Sequence, residues 1–307
     1  MRVVPAETIL ATPVREAVDA LESVLLAGFD PEEDPPRSSV PTAAGELLLM
    51  PSTAGGASGV KVLSVTPDNG ARGRPRIQGA YVLFDGPGQD VAAVLDGTAL
   101  TTLRTPALSA LAVRHLSGDA GPVRLVVIGT GPQARAHVPA VRAVRPVAEV
   151  ALVGRDEGRL RAFAEEVAAT GLPVTTHGLD DCAAAVAAAD VVCCCTSAER
   201  PLFDGGLVRD GAVVVAMGSH SPAAAELDAG LLARSAVVVE SRAVALREAG
   251  DVVQAVAAGT TTPERLVPLA DLVAGRVTLP AAGPRVFKSV GMPWQDLAVA
   301  ERVYRAG

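Results

Sequence analysis

Between residues 123 and 239 the apolar positions come in short unbroken runs, and stretches of helical spacing lie between most of them. Val123-Arg124-Leu125-Val126-Val127-Ile128 is β-branched and closed by Gly129, the pattern of a strand buried on both faces. The same reading predicts a helix over 132–144, a strand over 149–153, a helix over 157–169, a strand over 173–176 and an alanine-rich helix over 181–189. Runs at 191–195, 212–216 and 236–239 read as further strands. Repeated strand–helix units with continuously apolar strands predict an α/β fold on a doubly wound parallel sheet.

The first 115 residues lack that alternation. A loop rich in proline and acidic residues covers 31–41, and strand candidates follow at 46–50, 60–65 and 77–84. The turn-rich stretch 66–76 separates the last two and Gly86-Pro87-Gly88 follows them, which predicts an antiparallel meander. A helix over about 105–116 leads into the sheet, and the tail after about 284 is distinct again. The chain therefore divides into a smaller α+β domain, 1–115 completed by about 284–307, and a sheet domain over 116–283.

A length of 307 residues suits two such domains, and with 49% hydrophobic and 20% charged residues the chain is not a disordered one. A net charge of -7 argues against nucleic acid as a partner. No apolar run is long enough to span a bilayer, and Pro5 and Glu7 interrupt the N-terminus before any leader-like region, so no membrane role or signal peptide is expected. Cys182, Cys193, Cys194 and Cys195 have no zinc spacing and read as reduced thiols of a cytoplasmic protein. The four histidines have no metal spacing either, and no metal is expected. Of 27 basic residues only Lys61 and Lys288 are lysine, so each invites a reason.

Gly129-Thr130-Gly131-Pro132-Gln133-Ala134 is a Gly-x-Gly-x-x-Ala element between a predicted strand and helix, the Rossmann-type fingerprint. Its first glycine allows the tight turn, its second lets a pyrophosphate approach, and the alanine keeps helix and strand close. Where NAD binders carry an acid at the end of the next strand, this chain has Gly154-Arg155-Asp156. A guanidinium there suits a 2′-phosphate, so NADP(H) is expected over NAD(H), with Asp156 as a helix N-cap.

Met50-Pro51, Gly59-Val60-Lys61-Val62 and Asp96-Gly97-Thr98-Ala99-Leu100-Thr101-Thr102-Leu103-Arg104-Thr105 precede the fingerprint. Glu226-Leu227-Asp228 and Gly291-Met292-Pro293-Trp294-Gln295-Asp296-Leu297 follow it. In this order the elements resemble the ornithine cyclodeaminase/mu-crystallin family over nearly the whole chain. The resemblance implies a homodimer of two-domain subunits that binds NAD(P) beside a small amino or imino acid, the smaller domain serving substrate binding and dimerisation. It implies that Arg37, Lys61 and Arg104 meet the substrate carboxylate, with Met50 beside them, and that Asp228, as the acid, and Lys61 are the catalytic residues. Thr196, Met217, Gly218 and Ser219 at strand ends, with Lys288, Val290 and Gly291, are implied to line the cofactor. Family members that cyclise ornithine carry a carboxylate on the strand before Met-Pro, where this chain has Leu48, with Glu46 one pair further away. An apolar wall there suits a cyclic imine without a distal charge. The expected activity is reduction of Δ1-pyrroline-2-carboxylate or Δ1-piperideine-2-carboxylate to proline or pipecolate. Ornithine cyclodeamination, an alanine-type dehydrogenase and a non-enzymatic NADPH-linked binding protein are the alternatives.

Overall fold

Valine-rich segments of this chain become strands wherever both their faces find cover, and in the computed structural model, which describes residues 1–118 and 121–307, they fall into two sheets. Contacts divide the chain into two compact units: Met1–Leu108 with Gly291–Gly307, and Ser109–Val290.

The first unit runs β1 (Arg2–Val4), α1 (Ala6–Leu10), α2 (Val14–Leu26), β2 (Ser38–Thr42), β3 (Gly45–Ala54), β4 (Ala57–Val65), β5 (Ile77–Asp85) and β6 (Asp90–Asp96) into α3 (Gly97–Leu116). Its sheet has the order β1-β6-β5-β4-β3-β2, antiparallel except that β1 lies parallel to β6. The three expected meander strands are present and each is longer. The edge strand β2 lies partly in the stretch read as a loop, because Ser38-Ser39-Val40-Pro41-Thr42 is exposed throughout and has no apolar alternation. Helix α3 begins at Gly97 rather than near 105. Its threonines and Pro106 disguise the first turns, but Asp96 Oδ1 accepts the Ala99 N–H at 2.8 Å and buried Leu100 and Leu103 anchor them.

The second unit alternates β7 (Val123–Ile128), α4 (Pro132–Val144), β8 (Val147–Val153), α5 (Glu157–Ala168), β9 (Val174–His177), α6 (Ala183–Ala188) and β10 (Val191–Cys194). It continues through β11 (Val213–Ala216), α7 (Ala229–Arg234), β12 (Ala236–Val239), α8 (Arg242–Glu248), α9 (Gly250–Ala257), β13 (Leu266–Pro268), α10 (Leu269–Val273) and β14 (Arg285–Lys288). The eight strands are parallel in the order β13-β12-β14-β11-β10-β7-β8-β9. This is the α/β doubly wound sheet that the sequence predicts.

The tail divides differently from expectation. Residues 285–288 do not join the smaller unit but pair between β11 and β12 in the parallel sheet. A four-residue strand after Gly283-Pro284 is too short to show a period, and only burial of Val286 and Phe287 on both sides reveals it. The chain returns to the first unit at Gly291, and α11 (Pro293–Ala306) lies against α2, β3 and β4.

Candidate functional site

In the second unit the order of the sheet reverses between β7 and β10, the switch point beside which open α/β sheets place their ligands. The fingerprint glycines stand there. Gly129 has φ +121°, and a Cβ on it would come 2.4 Å from the Cys195 carbonyl oxygen. Gly131 has open space where its Cβ would be, and it is the N-cap of α4 without any side-chain cap. An uncapped helix start with room above it fits a pyrophosphate. Ala134 is fully buried beneath that turn, and Thr130 packs where a Cβ on Gly154 would meet its methyl at 2.7 Å. Gln133 lies in the first turn of α4, with its carbonyl 2.7 Å from His137 Nδ1. Arg155 is exposed just past the end of β8, while Asp156 caps α5 by accepting the Arg159 N–H at 2.8 Å.

Buried carboxylates organise the other strand ends. Glu226 accepts Thr196 N at 2.8 Å and Thr196 Oγ1 at 2.7 Å on one oxygen, and Gly218 N at 2.7 Å on the other. Glu240 accepts Ser289 Oγ at 3.0 Å and Val290 N at 2.8 Å. Asp251 takes the N–H groups of Glu226 and Leu227 at 2.7 and 2.8 Å. Met217 N reaches the Cys194 carbonyl at 3.3 Å, and Ser219 Oγ donates to the Ala224 carbonyl. Thr196, Met217 and Val290 thus stand partly exposed at the strand ends, with Ser219 buried behind them.

Two expectations change. The Lys288 ammonium was to line the cofactor, but it is buried and paired at 3.0 Å with Asp251, so it offsets that carboxylate. Asp228, expected as the catalytic acid, is the N-cap of α7. Its Oδ1 accepts Leu231 N at 2.7 Å and its Oδ2 accepts Gly205 N at 2.6 Å, so both oxygens are committed to backbone. The exposed titratable group beyond β11 is His220, whose Nδ1 lies 3.0 Å from the Gly218 carbonyl.

The first unit brings its three cations to one place. Lys61, on β4 opposite Met50 of β3, is fully buried, and its ammonium lies 2.6 Å from Asp296 Oδ2 and 3.3 Å from Thr101 Oγ1. Arg104 donates to Gln295 Oε1 at 2.8 Å and has its Nε 3.3 Å from Asp296 Oδ1, within ion-pair range though not aligned as a hydrogen bond. Arg37 donates to the Gly291 carbonyl at 3.2 Å. Gly291 has φ +81°, and a Cβ on it would lie 2.9 Å from the Arg104 guanidinium. Glycine therefore lets both arginines close on the same peptide.

Burial lowers the Lys61 pKa to about 8; Asp296 counteracts the shift, while Arg104 and Arg37 add to it. Asp296 touches both Lys61 and Arg104, and these two cations with Arg37 on the neighbouring Gly291 carbonyl make a cluster whose chemistry suits a small anion. The role of Asp296 was missed although its motif was visible. On a helix whose residues 293–300 are all buried, a buried Gln-Asp pair is the available signal. Leu48 is half-buried on the same side of β3 as Met50, and Glu46 accepts the Ser39 hydroxyl. Among the described residues no helix is long and apolar enough to cross a membrane, and no cluster of three or more His, Cys, Asp or Glu could hold a metal.

The profile of the ornithine cyclodeaminase/mu-crystallin family matches residues 6–306. The chain belongs to that family. It is 35% identical over 268 residues to the Δ1-pyrroline-2-carboxylate/Δ1-piperideine-2-carboxylate reductase of Azospirillum brasilense, covering 86% of this chain and 82% of the relative. Among solved structures, Thermococcus litoralis Δ1-pyrroline-2-carboxylate reductase in complex with NADH and L-proline superposes with a TM-score of 0.91 at 27% identity, over 99% of this chain and 97% of the other. An archaeal alanine dehydrogenase dimer with bound NAD also gives 0.91, at 25% identity over 99% and 95%.

With Asp228 serving as a cap, Asp228→Asn retains turnover within about threefold, because its amide oxygen still accepts one N–H. Asp228→Ala costs about 1–2 kcal/mol of stability in urea unfolding. Loss of turnover in Asp228→Asn with unchanged stability would restore it as an acid.

Proposed function

We propose that this protein is an NADPH-preferring reductase of a cyclic 2-imino acid, Δ1-pyrroline-2-carboxylate or Δ1-piperideine-2-carboxylate, forming proline or pipecolate. It is an oxidoreductase acting on carbon–nitrogen double bonds. The observation that carries the substrate reading is the cluster of Lys61 and Arg104 on Asp296 with Arg37 on the Gly291 carbonyl, and Leu48 rather than a carboxylate on the neighbouring strand. A substrate with a carboxylate and an apolar ring satisfies both features, whereas the distal ammonium of ornithine would be left without an acceptor at Leu48.

When bound, the reduced nicotinamide supplies the hydride for the imine carbon. Arg37 and Arg104 hold the substrate carboxylate and fix the ring's orientation, which lowers the barrier by pre-arranging the reacting atoms. Lys61 adds the third charge. With its pKa near 8 it holds a proton at neutral pH and can yield it to the imine nitrogen, sharpening the positive character of the adjacent carbon. Asp296 keeps the ammonium oriented. Arg155, exposed past β8 and beside an aspartate already used as a cap, supports the 2′-phosphate reading. The buried, unbridged thiols suit a reducing compartment, the cytoplasm.

A homodimer is also proposed, through the sheet face of the first unit opposite α11. Pro51, Val60, Val82, Val94 and Val3 stand abreast across five strands, and this apolar row is what a second copy of the chain would cover.

A panel assay by nicotinamide absorbance tests the reading: pyrroline- and piperideine-carboxylate with NADPH and NADH, then alanine, proline and ornithine with the oxidised cofactors. Imine turnover is expected to exceed the rest. Lys61→Met should lower kcat/KM for the imine about 100-fold or more while leaving dinucleotide binding intact. In the wild type, kcat/KM should fall as pH rises through about 8, where Lys61 loses its proton; a flat profile to pH 9.5 would contradict that role. Arg155→Ala should shift the NADPH/NADH preference towards NADH about tenfold, and an unaltered ratio removes the 2′-phosphate argument. Val60→Lys combined with Val82→Glu should halve the mass seen by light scattering, whereas an unchanged mass points to another interface.

A further inference from the structure

Asp34 is absent from the clamp described above, yet it touches the segments that build it. It is 8% exposed and lies three residues before Arg37, in the segment between α2 and β2. Its Oδ1 accepts Ser52 Oγ at 2.6 Å, two residues beyond Met50 on β3, and its Oδ2 accepts the backbone N–H of Trp294 at 2.9 Å. That N–H belongs to the first turn of α11, whose N-cap residue Met292 supplies no side-chain acceptor. A carboxylate from a distant segment therefore caps the helix. The same turn carries Gln295 and Asp296, which hold Arg104 and Lys61.

We propose that Asp34 is a positioning residue: it ties the Arg37 segment and the first turn of α11 to β3, and so sets the spacing of the three cations that grip the substrate carboxylate. The inference rests on the carboxylate role given to those cations above. The chemistry of the clip is specific. One oxygen must accept a backbone N–H, and the other must meet a hydroxyl that can either donate or accept. Asparagine satisfies both, its carbonyl taking Trp294 N–H and its amide donating to Ser52 Oγ. Alanine satisfies neither.

The ionised form of this residue is the costly one. Burial, reinforced by the charge of Asp296, lifts its pKa from 3.8 to about 6 against the lowering effect of its two hydrogen bonds. The native state therefore binds this proton more tightly than the unfolded chain does, and the contribution to stability falls as pH rises from about 4 to 6. Asp296 on α11 and Tyr81 on β5 are the titratable groups facing it, and the first unit contains no histidine to titrate in the same range.

Trp294 is the chain's single tryptophan and reports directly on the clip. In the free protein its fluorescence should titrate with a midpoint near pH 6, and Asp34→Asn should abolish that transition without lowering Tm at pH 7.5. In the assay, Asp34→Ala should raise KM for the imino acid about tenfold or more, with kcat within about threefold and the dinucleotide KM unchanged. Asp34→Asn should stay within about threefold of wild type, and Ser52→Ala, which removes one of the two bonds and leaves the helix cap, should fall between. Equal damage from asparagine and alanine would overturn the proposal, as would an unchanged imino-acid KM in Asp34→Ala or a matching rise in the dinucleotide KM. Should Asp34→Ala fail to fold, an unchanged KM in Ser52→Ala together with a missing midpoint near pH 6 overturns it equally. A wild type that reduces no imine defeats the substrate reading instead, and the fluorescence transition then still decides whether Asp34 is clipped to α11.

Discussion

Lys61 and Asp296 form an ion pair with almost no exposed surface, 2.6 Å apart and 235 residues apart in sequence. Either charge alone in that place would cost several kcal/mol, and removing one partner of such a pair costs about 3–5 kcal/mol. The contact therefore pins α11 over β4 in a single register. Arg104 closes on the other Asp296 oxygen, Gln295 receives its guanidinium, and Gly291 leaves room for it. A buried ammonium with a pKa near 8 and two neighbouring guanidiniums make a place that suits a small carboxylate and disfavours a further cation.

The second unit uses buried charge with the opposite sign. Glu226, Glu240 and Asp251 accept backbone N–H groups from segments that follow β10, β11 and β14, and Lys288 offsets Asp251. Each carboxylate replaces water at a strand end with a fixed acceptor, which holds the turns past the sheet in one conformation. Asp228 and Asp156 do the same for helix starts. Acids near strand ends thus serve the backbone here. That is why an aspartate that looks catalytic in a motif turns out to be a cap.

These two uses of charge divide the labour of the proposed reaction. In that proposal the acid meets cations of the smaller unit, and these are held by Asp296, Gln295 and the Gly291 peptide. The parallel sheet offers an uncapped helix start at Gly131 and, at Gly129, a glycine with no room for a Cβ, features that suit a dinucleotide whatever the substrate. On the proposed reading, specificity falls to single positions such as Leu48 and Arg155.

The parallel sheet and the fingerprint turn were legible from the chain alone, because β-branched runs and glycine spacing are local properties, whereas Arg37, Lys61 and Arg104 were singled out together only through the family resemblance. Strands without a period of their own were not: β14 and β2 exist because neighbours bury or pair them. The partners of charged groups were not legible either. Nothing in the spacing of Lys61, Lys288, Asp34, Asp228, Asp251 or Asp296 says which pairs with which, since ion pairs and caps are made across tens to hundreds of residues. By itself the sequence determined which chemistry is present. Only the tertiary structure decided which charges pair with one another and which hold the backbone, because burial and distance set the cost of each.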